Sequence, residues 1–149
     1  MINKNLPIII TGNTSLDDRG IVKFINDFTF DDIKRFYIVK NHQQNFIRAW
    51  HGHKNESKYI LCIKGAAFIS TVKIDNFDKP SKKLKYENWY ISEEKSELLY
   101  IPKGYANGFL SLTADMTLII FSTSSLKESL NDDYRYPFNY WNPWELKQR

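Results

Sequence analysis

Two histidines and a lysine are spaced to act together in the stretch IRAWHGHKNESKYILCIKG, which runs from residue 47 to residue 65. His51 and His53 are two residues apart, the spacing that places both imidazoles on one face of a β-strand. Lys58 opens the next apolar run. An imidazole titrates near neutral pH and an ammonium stabilises developing negative charge, so this cluster suits proton transfer on a carbonyl compound.

The same spacing is similar to the metal-binding motifs of the cupins, which are small antiparallel β-barrels. A cupin places a glutamate where this chain has Lys58, and its second motif, Pro-x-Gly-x-x-His, reads PKGYAN here, with Asn107 at the histidine position. A metal ion needs deprotonated donors, and an ammonium repels it. Glu56 is nearby, but strand parity relative to Lys58 gives it no better claim to the interior. The sequence therefore predicts a barrel without a metal or other cofactor.

Deprotonation beside a ketone is the chemistry that needs a histidine and a lysine in one partly dry site. The C–H acid needs a base such as His51, and the enolate oxygen needs a fixed positive charge such as Lys58. A nucleotide-linked sugar also needs cations for its diphosphate. The candidates are Arg19, Arg48 and Lys54.

Composition limits the other classes of function. The chain has 149 residues, 42% of them hydrophobic, which fits one domain over residues 1–149. Its net charge of +4 comes from scattered basic residues, so we expect anionic small molecules as ligands and no binding of nucleic acid. No apolar run is long enough to span a membrane, and the one cysteine, Cys62, is expected to be a buried apolar residue. We expect a cytoplasmic protein.

Short strand signals dominate the chain. Runs rich in β-branched and aromatic residues are separated by turn residues and predict about ten strands, an all-β architecture that fits a jelly-roll barrel. The predicted strands are 7–11, 20–26, 34–40, 45–50, 58–65, 67–74, 83–91, 97–102, 108–112 and 117–123. The segment TGNTSLDDRG is interpreted as a break between strands, and SSLKESL as one helical turn capped by Ser124 or Ser125. The aromatic tail, residues 132–149, is expected to pack on the barrel or across a dimer interface.

Several motifs together resemble the dTDP-4-dehydrorhamnose 3,5-epimerase family of metal-free cupins. The D-x-R-G motif of that family is matched by residues 17–20, its R-G-L-H by residues 48–51, its lysine by Lys58, and its I-P-x-G-x-A-H-G-F by residues 101–109 with Asn107 in place of histidine. The resemblance covers roughly residues 15 to 144. It implies that His51 removes the proton, Lys58 stabilises the enolate, and Arg48 and Arg19 bind the diphosphate or nucleotide, Arg19 across a homodimer.

The chain departs from that family at two places. The family's acid is a tyrosine on a late strand, and the matching strand, TLIIFST, has Ile120 there. The carboxylate that orients the base comes from a C-terminal extension, for which Asp132, Asp133 or Glu145 are substitutes. Tyr105 or water is then the expected acid, and a single epimerisation is favoured over a double one.

A second resemblance is to the dTDP-sugar 3,4-ketoisomerases. Their H-x-H-K is matched by residues 51–54, and the segments IKRFYIV (33–39) and ILCIKG (60–65) are similar to theirs. In that branch two histidines shuttle protons on one face of the sugar, which needs no opposite-face tyrosine. A third alternative is a sugar-nucleotide-binding cupin without catalysis. Trp50 is a candidate to stack on a base or sugar, with packing in the core as the alternative, and Asn107 is a candidate to contact substrate.

Overall fold

The computed structural model describes residues 3–145 and is built almost wholly from antiparallel strands. Twelve strands and one short helix follow one another in these residues. They are β1 Ile8–Thr11, β2 Asn13–Asp17, β3 Gly20–Phe24, β4 Arg35–Lys40, β5 Ile47–His53, β6 Lys58–Lys64, β7 Ala66–Lys73, β8 Tyr86–Ser92, β9 Glu97–Ile101, β10 Tyr105–Ser111, β11 Thr117–Ser122, α1 Leu126–Leu130 and β12 Tyr134–Arg135. The all-β prediction is confirmed.

Ten of the strands form two five-stranded sheets. Sheet I has the order β1-β9-β6-β11-β4, and sheet II has the order β12-β5-β10-β7-β8. Consecutive strands of the chain repeatedly lie in different sheets, so the chain winds back and forth between two layers. This is the pattern of a jelly-roll barrel.

The interior of the barrel is lined by alternate residues of both sheets. Strand β11 shows the alternation clearly, because Leu118, Ile120 and Ser122 are buried while their neighbours are more exposed. Ile60 and Leu99 of sheet I meet Ile69 and other apolar side chains of sheet II in one core cluster. Cys62 belongs to this cluster, and its burial raises the pKa of its thiol to about 11, as expected of an unreactive apolar residue.

A second apolar cluster covers the outer face of sheet II. Trp50 and Phe68 of the sheet pack against Trp141 and Trp144 of the aromatic tail. The Trp50 indole N–H donates to the carbonyls of Phe138 and Trp141, which ties the tail to the strand beneath it. Of the two expected positions for the tail, the structure shows the one against the barrel.

Two strands were not expected from the sequence. Asn13–Asp17, interpreted as part of a break, pairs with Gly20–Phe24 in a separate hairpin that belongs to neither sheet. All residues of both strands are exposed, so there is no buried face to impose apolar alternation. The two-residue strand β12 is too short for any sequence signal.

The helical turn lies where it was expected. Ser125 caps α1 by accepting a hydrogen bond from the Glu128 amide, and the Glu128 side chain accepts one from the Ser125 amide. No helix among residues 3–145 is both long and apolar enough to cross a lipid bilayer.

Candidate functional site

The predicted cluster is assembled from both sheets. His51 and His53 lie at the end of β5 in sheet II, and Lys58 is the first residue of β6 in sheet I. The cross-strand partners of the two histidines on β10 are Asn107 and Tyr105, respectively. Tyr105 belongs to the interior cluster, and residues opposite each other in a sheet share a face, so both imidazoles project inward. The strand parity predicted for the histidine pair is confirmed.

A bulge in β5 brings Arg48 to the same side as His51. Asn107 and Phe109 of β10 are two residues apart, but their partners on β5, His51 and Arg48, are three residues apart. Residues three apart normally lie on opposite faces of a strand. The extra residue of the bulge puts His51 and Arg48 on the same face. Phe109 is part of the interior cluster, so its cross-strand partner Arg48 lies on the inner face. The Arg48 residue is exposed, and its Nε donates to Asn41 Oδ1 at 2.8 Å.

His51 is the imidazole that remains free. Its side chain is half-buried and makes no hydrogen bond to any residue between 3 and 145. Burial, together with the positive charges of Lys58 and Arg135, lowers its pKa to about 4, and Asp133 opposes this shift. At neutral pH the ring is therefore uncharged, which is the form that accepts a proton.

His53 differs from His51 because both of its ring nitrogens lie against oxygen atoms of the protein. Nδ1 lies 2.7 Å from the carbonyl oxygen of Asp132, and Nε2 lies 3.1 Å from Oε2 of Glu56. Burial and the Lys58 ammonium lower the pKa of His53, while the Glu56 carboxylate and the Asp132 carbonyl oppose the shift. The ring has no free nitrogen directed at the barrel interior.

Glu56 is a buried carboxylate that sequence parity did not identify. It lies in the loop between β5 and β6, where strand alternation gives no information, and its side chain is 0% exposed. Lys58 Nζ is 3.5 Å from Oε2, Arg35 Nη2 is 3.3 Å from Oε1, and the Ser122 hydroxyl donates to Oε1 at 2.7 Å. Burial opposes ionisation, but Lys58, His53 and the Ser122 hydroxyl lower the pKa of Glu56 overall.

Asp132 explains why Glu56 turns inward. Its carboxylate accepts hydrogen bonds from the backbone amides of Lys54, Asn55 and Glu56, at 2.7, 2.8 and 3.1 Å. Three amides on one carboxylate hold the loop in a single shape. Asp132 therefore acts on the loop and not on His51.

The other two carboxylates considered for the base do not contact it either. Asp133 pairs with Arg135, with a shortest separation of 3.1 Å, and Glu145 is exposed in the tail. Arg135 is the cross-strand partner of His51 and was not predicted as a site residue. The Asp133 and Arg135 pair therefore lies beside His51, and Arg135 contributes to the low pKa of that imidazole.

The position expected to hold a tyrosine holds Ile120, and a different tyrosine lies beside it. Ile120 on β11 is buried in the interior cluster and is the cross-strand partner of Tyr37 on β4. Tyr37 packs against the same cluster, with Lys58 Nζ 5.9 Å and Arg35 Cζ 4.9 Å from its ring centre. Two phenols thus line the described interior near Lys58 and His53: Tyr37, and Tyr105, whose pKa burial and Glu87 raise.

Three predicted binding residues are not brought to the cluster within this chain. Trp50 is 0% exposed on the outer face of sheet II, so the structure shows core packing and not a stacking surface; as the neighbour of the inward-facing His51, it points outward and lies among the tail aromatics. The Lys54 ammonium lies 5.1 Å from the Tyr134 ring centre and 5.7 Å from that of Phe77, again outside the barrel. Arg19 is at the tip of the exposed β2–β3 hairpin, where it pairs with Asp17 at 2.6 Å.

No group of three histidine, cysteine or acidic side chains that could hold a metal ion is found among residues 3–145. The surroundings of Glu56 also do not suit a metal ion, because its carboxylate is already paired with the cations Arg35 and Lys58. The expectation of a barrel that works without a metal stays a prediction.

A sequence profile described as dTDP-4-dehydrorhamnose 3,5-epimerase matches residues 7–136. The dTDP-4-dehydrorhamnose 3,5-epimerase of Escherichia coli K12 is 30% identical over 110 residues, which cover 65% of this chain and 57% of that protein. The chain thus spans little more than half the length of that relative.

Two solved structures share the fold. The dTDP-4-dehydrorhamnose 3,5-epimerase of Bacillus anthracis, solved with TDP and PPi bound, has a TM-score of 0.78 and 18% identity, covering 99% of this chain and 90% of that one. The WlaRB TDP-quinovose 3,4-ketoisomerase of Campylobacter jejuni has a TM-score of 0.67 and 20% identity, covering 90% and 95%. Both confirm the predicted cupin barrel.

Proposed function

The chain belongs to the dTDP-4-dehydrorhamnose 3,5-epimerase family, and from that premise we propose that it is an isomerase of a nucleotide-linked 4-keto-6-deoxy sugar. The reaction is epimerisation at a carbon next to the ketone, C3 or C5. The observation that carries the proposal is one free, uncharged imidazole, His51, in a barrel whose facing sheet supplies the buried ammonium of Lys58.

His51 is proposed as the base that removes the proton. A C–H bond beside a ketone is weakly acidic. A base held within hydrogen-bond reach of that hydrogen increases the rate of proton removal by about 10²–10⁴-fold. The neutral ring of His51 has no competing hydrogen bond among the described residues, so its nitrogen is available to the substrate. Because no hydride leaves the sugar, the step needs no redox cofactor.

Lys58 is proposed to stabilise the enolate that forms. Lys58 as a residue is 5% exposed, so the charge that its ammonium places opposite the oxygen acts in a medium of low dielectric. Glu56 holds the ammonium at 3.5 Å, which limits the motion of an otherwise flexible side chain.

Return of the proton is proposed to proceed from a phenol other than the one expected in this family. Ile120 cannot donate a proton, whereas Tyr105 and Tyr37 both face the interior. Either phenol serves one face of the enolate, so a single inversion is favoured over inversion at both C3 and C5. Asn107, the cross-strand partner of His51, is proposed to bind a sugar hydroxyl or the carbonyl.

Arg48 and Arg135 are proposed to bind the diphosphate. Arg48 lies on the inner face of β5, and Arg135 is the cross-strand partner of His51 on β12. Guanidinium groups bind phosphate oxygens in pairs, so two of them on strands next to the proposed base suit a diphosphate. Lys54 is excluded from this set by its position outside the barrel.

We further propose a homodimer in which the β2–β3 hairpin contacts the second copy. The hairpin exposes Leu16 by 74% and also its cross-strand partner Ile21, an apolar surface that a monomer has no reason to present. Exposed apolar residues also occur on the outer face of sheet I, including Phe36 and Ile38. A hairpin that reaches the partner's barrel would carry Arg19 to its opening.

One observation favours the ketoisomerase as a second candidate. A same-face shuttle needs no opposite-face acid, which agrees with Ile120 at the tyrosine position. The engaged nitrogens of His53 weigh against it, because the shuttle as expected for that branch uses both histidines. A binder without catalysis is the third alternative, and the free nitrogen of His51 weighs against that one.

The experiment is incubation with dTDP-4-keto-6-deoxyglucose in D2O, followed by NMR of the sugar. Deuterium at C3 or C5 with inverted configuration supports the epimerase. A ketone that moves from C4 to C3 supports the ketoisomerase. Binding of the nucleotide sugar with no exchange at any carbon contradicts both enzymatic proposals and leaves the binder.

A further inference from the structure

The contact between His53 and Glu56 has a consequence for the proton content of the site. Nδ1 of His53 lies against a backbone carbonyl oxygen, which can only accept a hydrogen bond, so Nδ1 carries a hydrogen. If the ring is neutral, Nε2 then has only a lone pair. That lone pair faces Oε2 of Glu56 at 3.1 Å.

A neutral ring and an ionised carboxylate would place two acceptors in contact in a buried site. Neither His53 Nε2 nor Glu56 Oε2 has a hydrogen-bond partner among the described residues, and both atoms are buried. A buried acceptor without a donor costs about 1–3 kcal/mol, and more when it is charged. One proton between the two atoms removes the conflict, because it turns the contact into a charge-assisted hydrogen bond.

We propose that Glu56 and His53 hold one proton in common between Oε2 and Nε2, and that this pair is a positioning unit that fixes Lys58 in the site. Glu56 is then a positioning residue: it touches Lys58 and His53, and it acts on the substrate only through Lys58. His53 holds Glu56 in place and is itself held by the Asp132 carbonyl. The role of the proton does not depend on the proposed function, whereas the role given to Lys58 rests on it.

Charges around the pair act in both directions. Burial, the Lys58 ammonium 3.5 Å from the carboxylate and Arg35 3.3 Å from its other oxygen disfavour an additional positive charge, and the first two of these lower the pKa of His53. The carboxylate itself favours that charge at the shorter distance of 3.1 Å from Nε2. The shared proton rests instead on the contact of two buried acceptor atoms that have no other hydrogen-bond partner among the described residues. The groups that face His53 from the surrounding elements are Lys58 on β6, Glu56 in the loop, Asp132 before β12, His51 on β5 and Tyr105 on β10.

This balance predicts how Lys58 and the proton are linked. Removal of the ammonium by Lys58→Met takes away a charge that competes with the proton, so the pair keeps its proton to higher pH. Removal of the carboxylate by Glu56→Gln gives His53 a neutral amide donor, so the ring becomes neutral with its lone pair satisfied. The Gln variant is nearly isosteric and leaves the Ser122 contact possible, which favours a folded protein.

The test is NMR of the 15N-labelled imidazoles, with infrared detection of protonated carboxyl groups, on the unliganded protein between pH 6 and 8. The expected result is a hydrogen on Nε2 of His53 or a carboxylic-acid band, either of which is lost in Glu56→Gln. Glu97→Gln, a matched change in a surface pair with Lys95, is expected to alter neither signal. If the wild type shows a lone pair on His53 Nε2 and no carboxylic-acid band, the proposal of a shared proton is wrong. This result comes from the wild type alone and does not depend on whether a variant folds.

The positioning role has its own readout. With the ketosugar, Glu56→Gln is expected to lower kcat about 10-fold or more with KM little changed, and Glu56→Asp to recover part of the loss. A Gln variant with unchanged kcat and a changed histidine spectrum overturns the positioning role alone. Failure of the proposed function has a different signature. The wild type would then show no deuterium exchange into the sugar, while the NMR spectrum of the unliganded protein would still show the shared proton.

Discussion

At the residue scale, the site depends on a difference between two histidines that the sequence presents as equivalent. His51 makes no hydrogen bond among the described residues, while His53 lies 2.7 Å from the Asp132 carbonyl and 3.1 Å from Glu56. We therefore propose separate roles for two imidazoles on one strand face: His51 exchanges a proton with the substrate, and His53 holds the Glu56 carboxylate.

The two histidines are expected to respond differently to pH. The pKa of His51, lowered to about 4, means that the base is uncharged, and so active, at all pH values above that. The deuterium exchange rate should stay level from pH 7 to pH 5 and fall only as pH approaches 4. A rate that already falls through pH 6.5 would show a base with an ordinary imidazole pKa, contrary to this assignment.

The lowered pKa of His51 should also make the stability of the fold depend on pH. The unfolded chain protonates residue 51 near its ordinary value of 6.5, while the folded protein does so only near 4, so the unfolded state binds more protons between these values. The free energy of unfolding therefore decreases as pH falls through this window. His51→Asn removes that contribution, and urea unfolding at pH 7 and pH 5 should show a smaller loss for the variant. An equal loss in both proteins would contradict the lowered pKa.

Two matched substitutions test which group returns the proton to the enolate. Tyr105→Phe and Tyr37→Phe each remove one interior hydroxyl and leave the ring packing in place. We expect the variant that lacks the acid to keep deuterium exchange at the sugar carbon but to lose most of the inverted product. If neither variant changes the ratio of exchange to inversion, water supplies the proton.

Strand parity predicted part of this arrangement and missed the part that lies in a loop. The spacing of His51 and His53 predicted one strand face for both, and their β10 partners show that face to be the inner one. Glu56 lies in a loop shaped by Asp132, some eighty residues later, and that contact leaves no local pattern. Tyr37 could have been found, because it alternates with Arg35 and Val39 toward the interior, but only the register with Ile120 reveals its relevance.

At the scale of elements, the bulge between β5 and β10 decides which side chains reach the interior. Without the extra residue in β5, either Arg48 or His51 would point outward. The sequence run NFIRAW predicted a strand, but a bulge has no dependable signature, so the sequence did not show that Arg48 and His51 share a face despite their three-residue spacing. The outer face receives Trp50, and the tail covers it.

Gly108 makes the close contact between β5 and the tail possible. A Cβ at this position would lie 2.5 Å from the Ala49 Cβ and 2.9 Å from the Trp144 ring. Gly108→Ala is therefore expected to destabilise the protein by about 1–3 kcal/mol through overpacking, measured by urea unfolding.

Gly52 on the neighbouring strand is the matched control for this prediction. A Cβ there would find its nearest atoms at 3.4 Å, an ordinary contact, so Gly52→Ala should be close to neutral in the same assay. Equal effects of the two substitutions would show that the tail does not pack on Gly108 as described.

At the scale of the whole molecule, the exposed hairpin is the feature that a monomer does not explain. Residues of β2 and β3 are all exposed, and the apolar pair Leu16 and Ile21 lies on one face of the ribbon. A two-stranded ribbon alone is only marginally stable in water, so it needs a surface to pack on. A second copy of the chain is the proposed surface.

The dimer is tested by a charge change at that pair. Leu16→Lys with Ile21→Lys is expected to convert a dimer into a monomer, measured by light scattering during size-exclusion chromatography. Ser15→Lys, on an exposed polar position of the same strand, is the control and should leave the dimer intact. A wild type that is monomeric at all concentrations would remove the proposal, and with it the delivery of Arg19 to a second barrel.

Proton removal by His51 beside a sugar ketone is the central claim, and deuterium exchange into the ketosugar tests it most directly. The wild type should incorporate deuterium at C3 or C5, and folded His51→Asn should lose at least about 100-fold of that rate, while His53→Gln keeps measurable exchange. Full exchange by His51→Asn would contradict the account.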